Sequence, residues 1–390
     1  MRMSDKLKSI AGEGGDGWEL FLRARGMIAS GTPVTELTIG EHDIRTAAPV
    51  LQAMHEAAKA GNTGYAIMHG QMTLREAVAA RVQARTGVPT TYENVLITPG
   101  GQSALFAAHI ASLDNGQTAL YMDPFYATYP GTIRAVGAVD KPVPARAEHA
   151  FQPQRADLEA AINESTRTLL INSPNNPTGV IYTPETMQMI ADVVQAHGLT
   201  LISDEVYDTQ IWEGVHISPR SLEGMADHTL VVGSMSKSHA MTGSRCGWLV
   251  GPADVIDKLV DLSTVTTYGV PGYIQDAALF ALEQGESFEE EIAAPFKRRR
   301  EVTLKALASQ NILTPVPTAG AMYVMLDVRQ TGLTGEEFAN RLLDERHIAV
   351  MPGGSFGNEA AGHVRVAMTI EDSAYEAALK DICSFAAALA

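Results

Sequence analysis

The sequence has 390 residues, is 45% hydrophobic and carries a formal net charge of -16. That length suits two domains better than one core, and the negative balance argues against a general nucleic-acid binder because it repels phosphate backbones. No apolar run approaches the roughly 20 residues that span a bilayer, and Cys246 and Cys383 are too few for a disulfide framework or a four-cysteine zinc site.

The opening residues, Met1 to Lys8, lead into no apolar signal core, so a cytoplasmic location is the default expectation. Up to about residue 30 the chain is glycine-rich around 12–17 and reads as an arm or cap. From about residue 45, helical patterns alternate with apolar runs at 94–98, 118–122, 168–172, 200–204, 229–233 and 247–250. Continuous rather than alternating apolar runs predict strands buried on both faces of a largely parallel sheet. Segments such as 184–197 supply the helical crossovers. From residue 286 the pattern changes to a long charged helix, to about 310, and then to shorter strands at 321–328, 348–351 and 363–368. This predicts a smaller α+β domain. The basic run Lys297-Arg298-Arg299-Arg300 reads as a solvated helix face, since acidic residues flank it.

The predicted strands end in residues with chemistry, and in open α/β sheets ligands bind outside the carboxyl ends of strands. Gly233-Ser234-Met235-Ser236-Lys237 follows one run, with Arg245 eight residues beyond the lysine. A lysine at a strand end can lose its proton and attack a carbonyl; the hydroxyls and Arg245 suit a phosphate. Taken alone, this segment reads as an ordinary serine-rich loop. Asp204, at the end of another run, is costly to bury unpaired, and a protonated ring nitrogen would pair it; a helix cap is the plainer alternative. Tyr207, three residues on, can donate to a phenolate oxygen.

Asn172 to Gly179 forms a rigid polar turn in which the Asn176 amide can bond a ligand oxygen. Gly100-Gly101-Gln102, between a strand and a helix, can turn backbone N–H groups toward an anion without forming a dinucleotide fingerprint. Tyr126 offers an aromatic face, for a flat ligand or for core packing. Arg365, inside an apolar strand, needs a carboxylate, from the protein or from a substrate.

This ordered set (Gly100-Gly101, Tyr126, Asn176-Pro177-x-Gly179, Asp204-x-x-Tyr207, Ser234-x-Ser236-Lys237, Arg245 and Arg365) resembles the class I aminotransferases of the pyridoxal-phosphate fold type I superfamily, over nearly the whole chain. The resemblance implies a seven-stranded, mostly parallel sheet in a large cofactor-binding domain (46–285), a small C-terminal domain (286–390), and an N-terminal arm that joins the small domain (1–45). It implies pyridoxal 5'-phosphate as cofactor, with Lys237 as its covalent anchor and proton carrier and Asp204 on the pyridine nitrogen. Asn176 and Tyr207 would sit at the phenolic oxygen, and Tyr126 and Val206 on the two ring faces. Gly100, Gly101, Gln102, Ser234, Ser236 and Arg245 would hold the phosphate, together with Tyr65 of a neighbouring subunit in a homodimer. Arg365, Asn176 and the backbone of Gly40 would bind the substrate's α-carboxylate. No metal, nucleic acid or membrane partner is implied.

The reaction so implied is ping-pong transamination between an L-α-amino acid and a 2-oxo acid such as pyruvate or 2-oxoglutarate. The segments 236–243, Tyr268-Gly269 and 361–365 most resemble arginine–pyruvate transaminases. Gln102 stands where some related aspartate transaminases carry a lysine, and Gly40-Glu41-His42-Asp43 departs from their usual Gly-Glu-Pro-Asp. Glu13, Asp16 and Glu41 are candidate partners for a cationic donor. Aspartate or aromatic aminotransferase, a β-lyase on the same fold, and a non-catalytic regulator domain are the alternatives. The last needs a DNA-binding module ahead of the cofactor domain, and only about 45 glycine-rich residues stand there.

Overall fold

The structure is a computed structural model that describes residues 2–11 and 18–389. Its twelve strands are β1 Thr35–Leu37, β2 Val95–Thr98, β3 Thr118–Asp123, β4 Val139–Pro144, β5 Thr166–Asn172, β6 Thr200–Asp204, β7 Thr229–Ser234, β8 Gly247–Val250, β9 Thr314–Pro315, β10 Tyr323–Asp327, β11 Ile348–Pro352 and β12 His363–Ala367. They form a seven-stranded sheet in the order β2-β8-β7-β6-β5-β3-β4 and a five-stranded sheet in the order β1-β11-β12-β10-β9. In the large sheet only β8 runs against its neighbours.

The apolar runs form these strands because both of their faces are covered. In β5, Leu170 packs into one core and Leu169 and Ile171 into another on the opposite face. Likewise Leu249 and Val250 of β8 enter different cores. Each such fully buried side chain contributes about 1.5–3 kcal/mol of transfer free energy.

The helix Pro184–His197 shows how a crossover is delimited. Thr183 accepts from the Thr186 amide, proline fills the first turn, and Gly198 closes the helix at φ +60.

Two features differ from the sequence expectation. β4 was not anticipated, since Val139-Asp140-Lys141-Pro142-Val143-Pro144 is polar and carries two prolines. It lies at the sheet edge, paired only to β3, where missing N–H groups do no harm. The basic run is also not a uniformly solvated face. Within helix Glu286–Leu307, Arg299 and Arg300 are buried. Arg299 forks onto Asp43 at 2.7 Å and also bonds Asp372 and the Met368 carbonyl. Arg300 bonds the Thr318 carbonyl and Glu213. Lys297 and Arg298 do face solvent.

The N-terminal segment contributes a helix, Glu19–Ala29, whose Leu20 and Ala24 enter the core of the small sheet beside Phe338 and Phe385. No helix among the described residues is long and apolar enough to cross a membrane.

Candidate active site

Strand register assembles the site. Asn172 at the end of β5 sits opposite Asp204, and Asp204 opposite Val232 of β7. Gly247 pairs with both Ser234 and Thr98, so the ends of β7 and β2 flank the start of β8. That brings Gly100-Gly101, Ser234-Ser236-Lys237 and Arg245 to one place. Glycine is required at this junction. A Cβ on Gly247 would lie 2.8 Å from the Gly100 carbonyl carbon and 2.9 Å from the Gly101 nitrogen. Gly100 itself has φ +77, and a Cβ there would collide with the Arg245 guanidinium.

Together these residues could hold an anion. Gly101 opens a twelve-residue helix, Gly101–Ser112, whose first amides have no partner inside the helix. The Ser234 and Ser236 hydroxyls lie 2.9 Å apart, and Arg245 reaches Ser236 Oγ at 3.5 Å. Hydroxyls, a guanidinium and a helix N-terminus are the donor set a phosphate needs. The Gln102 side chain faces elsewhere: it donates to Thr132 Oγ1 and accepts from Thr128 Oγ1, so only its backbone amide belongs to the helix start.

Beside this group lies Asp204, buried at 4% exposure. Its carboxylate accepts from Tyr129 Oη at 2.7 Å and from the Val206 amide at 3.3 Å. No cationic side chain pairs with it among the described residues, and burial holds its carboxyl pKa up at about 6. No helix begins directly after β6, the next one being the short turn of 3-10 helix Pro219–Ser221, so Asp204 is not a helix cap. Val206, the next residue but one, packs toward Gly101.

Lys237 is partly buried, and its ammonium donates to the Gly40 carbonyl. Burial pulls its pKa down to about 8, with Arg365 and Arg245 adding to the shift and Glu41 opposing it. Gly40 itself must be glycine, because a Cβ there would collide with Tyr323 Oη. Tyr323 Oη in turn lies 3.0 Å from Tyr207 Oη.

Arg365 in β12 is buried without any acidic partner among the described residues. Its Nη1 donates to Asn176 Oδ1 at 2.7 Å, its Nη2 to the Thr38 carbonyl, and its Nε has no partner among the described residues. The guanidinium lies between the Tyr323 and Phe356 rings, 4.3 Å from each centroid. Asn176 is held in turn by Asn172, which accepts from its amide and donates to the Asp204 carbonyl. Tyr126 stands edge-on to Tyr129 at 5.7 Å and within the electrostatic reach of Asp204 and Arg365.

The fold therefore brings together Gly40, Gly100, Gly101, Tyr126, Asn176, Asp204, Val206, Tyr207, Ser234, Ser236, Lys237, Arg245 and Arg365. Tyr65 stands apart, 92% exposed with its ring against Tyr268. Of the candidate acids for a cationic donor, Glu41 accepts from Thr242 near Lys237, while Glu13 and Asp16 lie outside the described residues. Tyr129, Tyr323 and Phe356 were not anticipated, whereas Asn172 was expected only as the start of the polar turn. Tyr129 opens the helix Tyr129–Ala135, three residues after Tyr126, and like the others it shows no local sign of its role. A cavity of about 1230 Å³ opens alongside, its wall including Gln102, Phe125 and Thr128, chain neighbours of Gly101 and Tyr126.

Residues 32–382 match the family of class I and II aminotransferases. The chain is 40% identical to the arginine–pyruvate transaminase AruH of Pseudomonas aeruginosa, over 100% of this chain and 99% of that one. It is 35% identical to the aspartate/prephenate aminotransferase of Thermus thermophilus, over 90% of each. The aspartate aminotransferase of Thermus thermophilus solved with maleate superposes with a TM-score of 0.92 at 32% identity, covering 99% of this chain and 100% of that one. The fold is thus that of the aspartate aminotransferases, fold type I. This chain belongs to the class I and II aminotransferases and is an enzyme of that kind.

Proposed function

We propose that the site holds pyridoxal 5'-phosphate and transfers the amino group of an L-α-amino acid to a 2-oxo acid. One observation carries this reading. Two buried charges of opposite sign, Asp204 and Arg365, are joined through Asn172 and Asn176, and neither has an ionic partner among the described residues. A buried unpaired charge is costly, so each is best explained by a ligand charge: a ring N–H cation at Asp204 and a carboxylate at Arg365.

Pyridoxal phosphate bound there supplies an electrophilic aldehyde and an electron-withdrawing ring that stabilises negative charge on the substrate's α-carbon. Asp204 would keep a proton on the ring nitrogen. Asn176 and Tyr207 would bond the phenolic oxygen, while Tyr126 and Val206 enclose the ring. Gly100, Gly101, Gln102, Ser234, Ser236 and Arg245 would hold the phosphate, with Tyr65 of a second copy completing it in a homodimer. Support for that dimer comes from the exposed apolar side chains at and next to Tyr65, namely Tyr65 itself, Ile67 and the Tyr268 ring packed against it. Arg365 and Asn176 would orient the α-carboxylate. Lys237, with a pKa near 8, can shed its proton close to neutral pH and move the proton at the α-carbon, acting as base and then acid. The donor's product leaves before the acceptor binds, so the kinetics are ping-pong.

For the donor we favour arginine, with pyruvate as acceptor, on the likeness to the Pseudomonas enzyme. A panel of amino donors assayed with pyruvate and 2-oxoglutarate tests this. Arginine should give the highest kcat/KM. Faster turnover of aspartate or an aromatic donor would overturn the donor assignment, and ammonia release without need of a 2-oxo acid would point to a β-lyase.

A further inference from the structure

Asp123 ends β3 beside the strand ends that build the site, yet the chemistry above does not use it. It is buried at 5% exposure. Its carboxylate crosses to the segment between β11 and β12, accepting from the amides of Asn358 at 2.9 Å and Glu359 at 3.3 Å. No cationic side chain pairs with it among the described residues; burial raises its carboxyl pKa and the two amides oppose the rise. Gly357, at φ +117, makes this approach feasible, since a Cβ there would collide with the Asp123 carboxylate.

The same two segments meet a second time. The Phe125 amide donates to the Phe356 carbonyl at 2.9 Å. Phe356 is the residue whose ring covers one face of the Arg365 guanidinium. The stretch Asp123-Pro124-Phe125-Tyr126 therefore carries an aromatic ring of the cofactor site at one end. At the other it carries a carboxylate that grips the loop behind the substrate arginine.

We propose that Asp123 is a positioning residue for substrate binding: it clamps the 356–359 loop so that Phe356 is held against Arg365 and the guanidinium keeps the orientation a carboxylate requires. The inference rests on the reading of Arg365 as the α-carboxylate site. Hydrogen bonds to a buried carboxylate are the strong kind, and the aromatic sandwich leaves Arg365 little freedom while Phe356 stays in place. Loosening the loop frees the arginine while Asp204 and the phosphate-binding hydroxyls keep their own partners. A loss of clamping therefore falls on substrate binding.

The test is steady-state kinetics of the cofactor-loaded enzyme. Asp123→Ala should raise KM for both the amino donor and the 2-oxo acid about tenfold, with kcat within about twofold. Cofactor affinity and absorbance should not move. Asp123→Asn keeps one acceptor oxygen and should recover part of the loss. Should the alanine variant fail to fold, Gly357→Ala displaces the carboxylate with Asp123 intact and should give the same rise in KM. Unchanged KM in these variants, or a loss confined to kcat or to cofactor affinity, would overturn the proposal. Arg365→Lys serves as the control. A raised KM there with none in Asp123→Ala sinks only the clamp, whereas an unchanged KM in Arg365→Lys overturns the carboxylate reading on which it rests.

Discussion

Arg365 Nη1 donates to Asn176 Oδ1 at 2.7 Å, joining the five-stranded sheet to the loop that leaves β5 of the seven-stranded one. Among the described residues neither meets an opposite charge, so Asn176 serves as a neutral partner for a buried cation. Arg365→Lys keeps the charge but loses the fork that matches a carboxylate. KM for amino and 2-oxo acids should rise on the order of a hundredfold, with a smaller change in kcat. Parallel kinetics with both substrates check this, and equal KM values in variant and parent would remove Arg365 from the substrate site.

Asp204→Asn leaves the shape of the site intact and takes away the charge that would hold a proton on a ring nitrogen. Turnover should fall by about a hundredfold or more, with Asp204→Glu retaining more activity than the asparagine variant. Single-turnover rates at saturating cofactor measure it. Full activity in Asp204→Asn would mean that the buried carboxylate serves the fold alone.

Lys237 also sets a pH-dependent cost on the cofactor-free protein. Its folded pKa is about 8 against an ordinary 10.5. Between those values the unfolded chain holds a proton that the folded chain lacks, so stability rises with pH across that window. Below about pH 8 both states are protonated and the burial cost is at its full value. Lys237→Met should therefore stabilise the cofactor-free protein at pH 7 by on the order of 2–3 kcal/mol, and the gain should shrink as pH rises from 8 to 10.5. Urea unfolding of both proteins at several pH values tests the sign.

Helix Glu286–Leu307 offers a prediction on stability alone. Arg299→Met strands Asp43 and the Met368 carbonyl in partly buried surroundings and should cost about 3 kcal/mol. Arg298→Met, one residue away and exposed, should cost less than about 1 kcal/mol. Equal losses in the two variants would contradict the structural distinction between them.

What the sequence made legible divides along one physical line. The central strands were readable because burial on both faces leaves a continuous apolar run, as in Leu169-Leu170-Ile171. β4 was not, because an edge strand tolerates prolines and polar residues. Lys237, Asp204 and Arg365 stood out as charges where charges are expensive. Tyr323 and Phe356 did not, since an aromatic beside an apolar strand looks the same whether it packs a core or covers a guanidinium. Their partner is set by long-range pairing: Tyr323 lies two residues before Met325, which pairs with Arg365 across β10 and β12. The basic run misled for the same reason. The acids that bury Arg299 come from residues 43 and 372, and local composition carries no trace of them.

The most direct measurement concerns Lys237. Borohydride converts a Schiff base to a stable secondary amine, so reduction of the purified, cofactor-loaded enzyme followed by peptide mass mapping locates the attachment. The account predicts a pyridoxyl phosphate adduct on the peptide that contains Lys237, and none in Lys237→Ala. It also predicts that Lys237→Ala still binds the cofactor while turnover falls at least about a thousandfold. An adduct on another lysine, or an unmodified Lys237 in a preparation that transaminates, would contradict it.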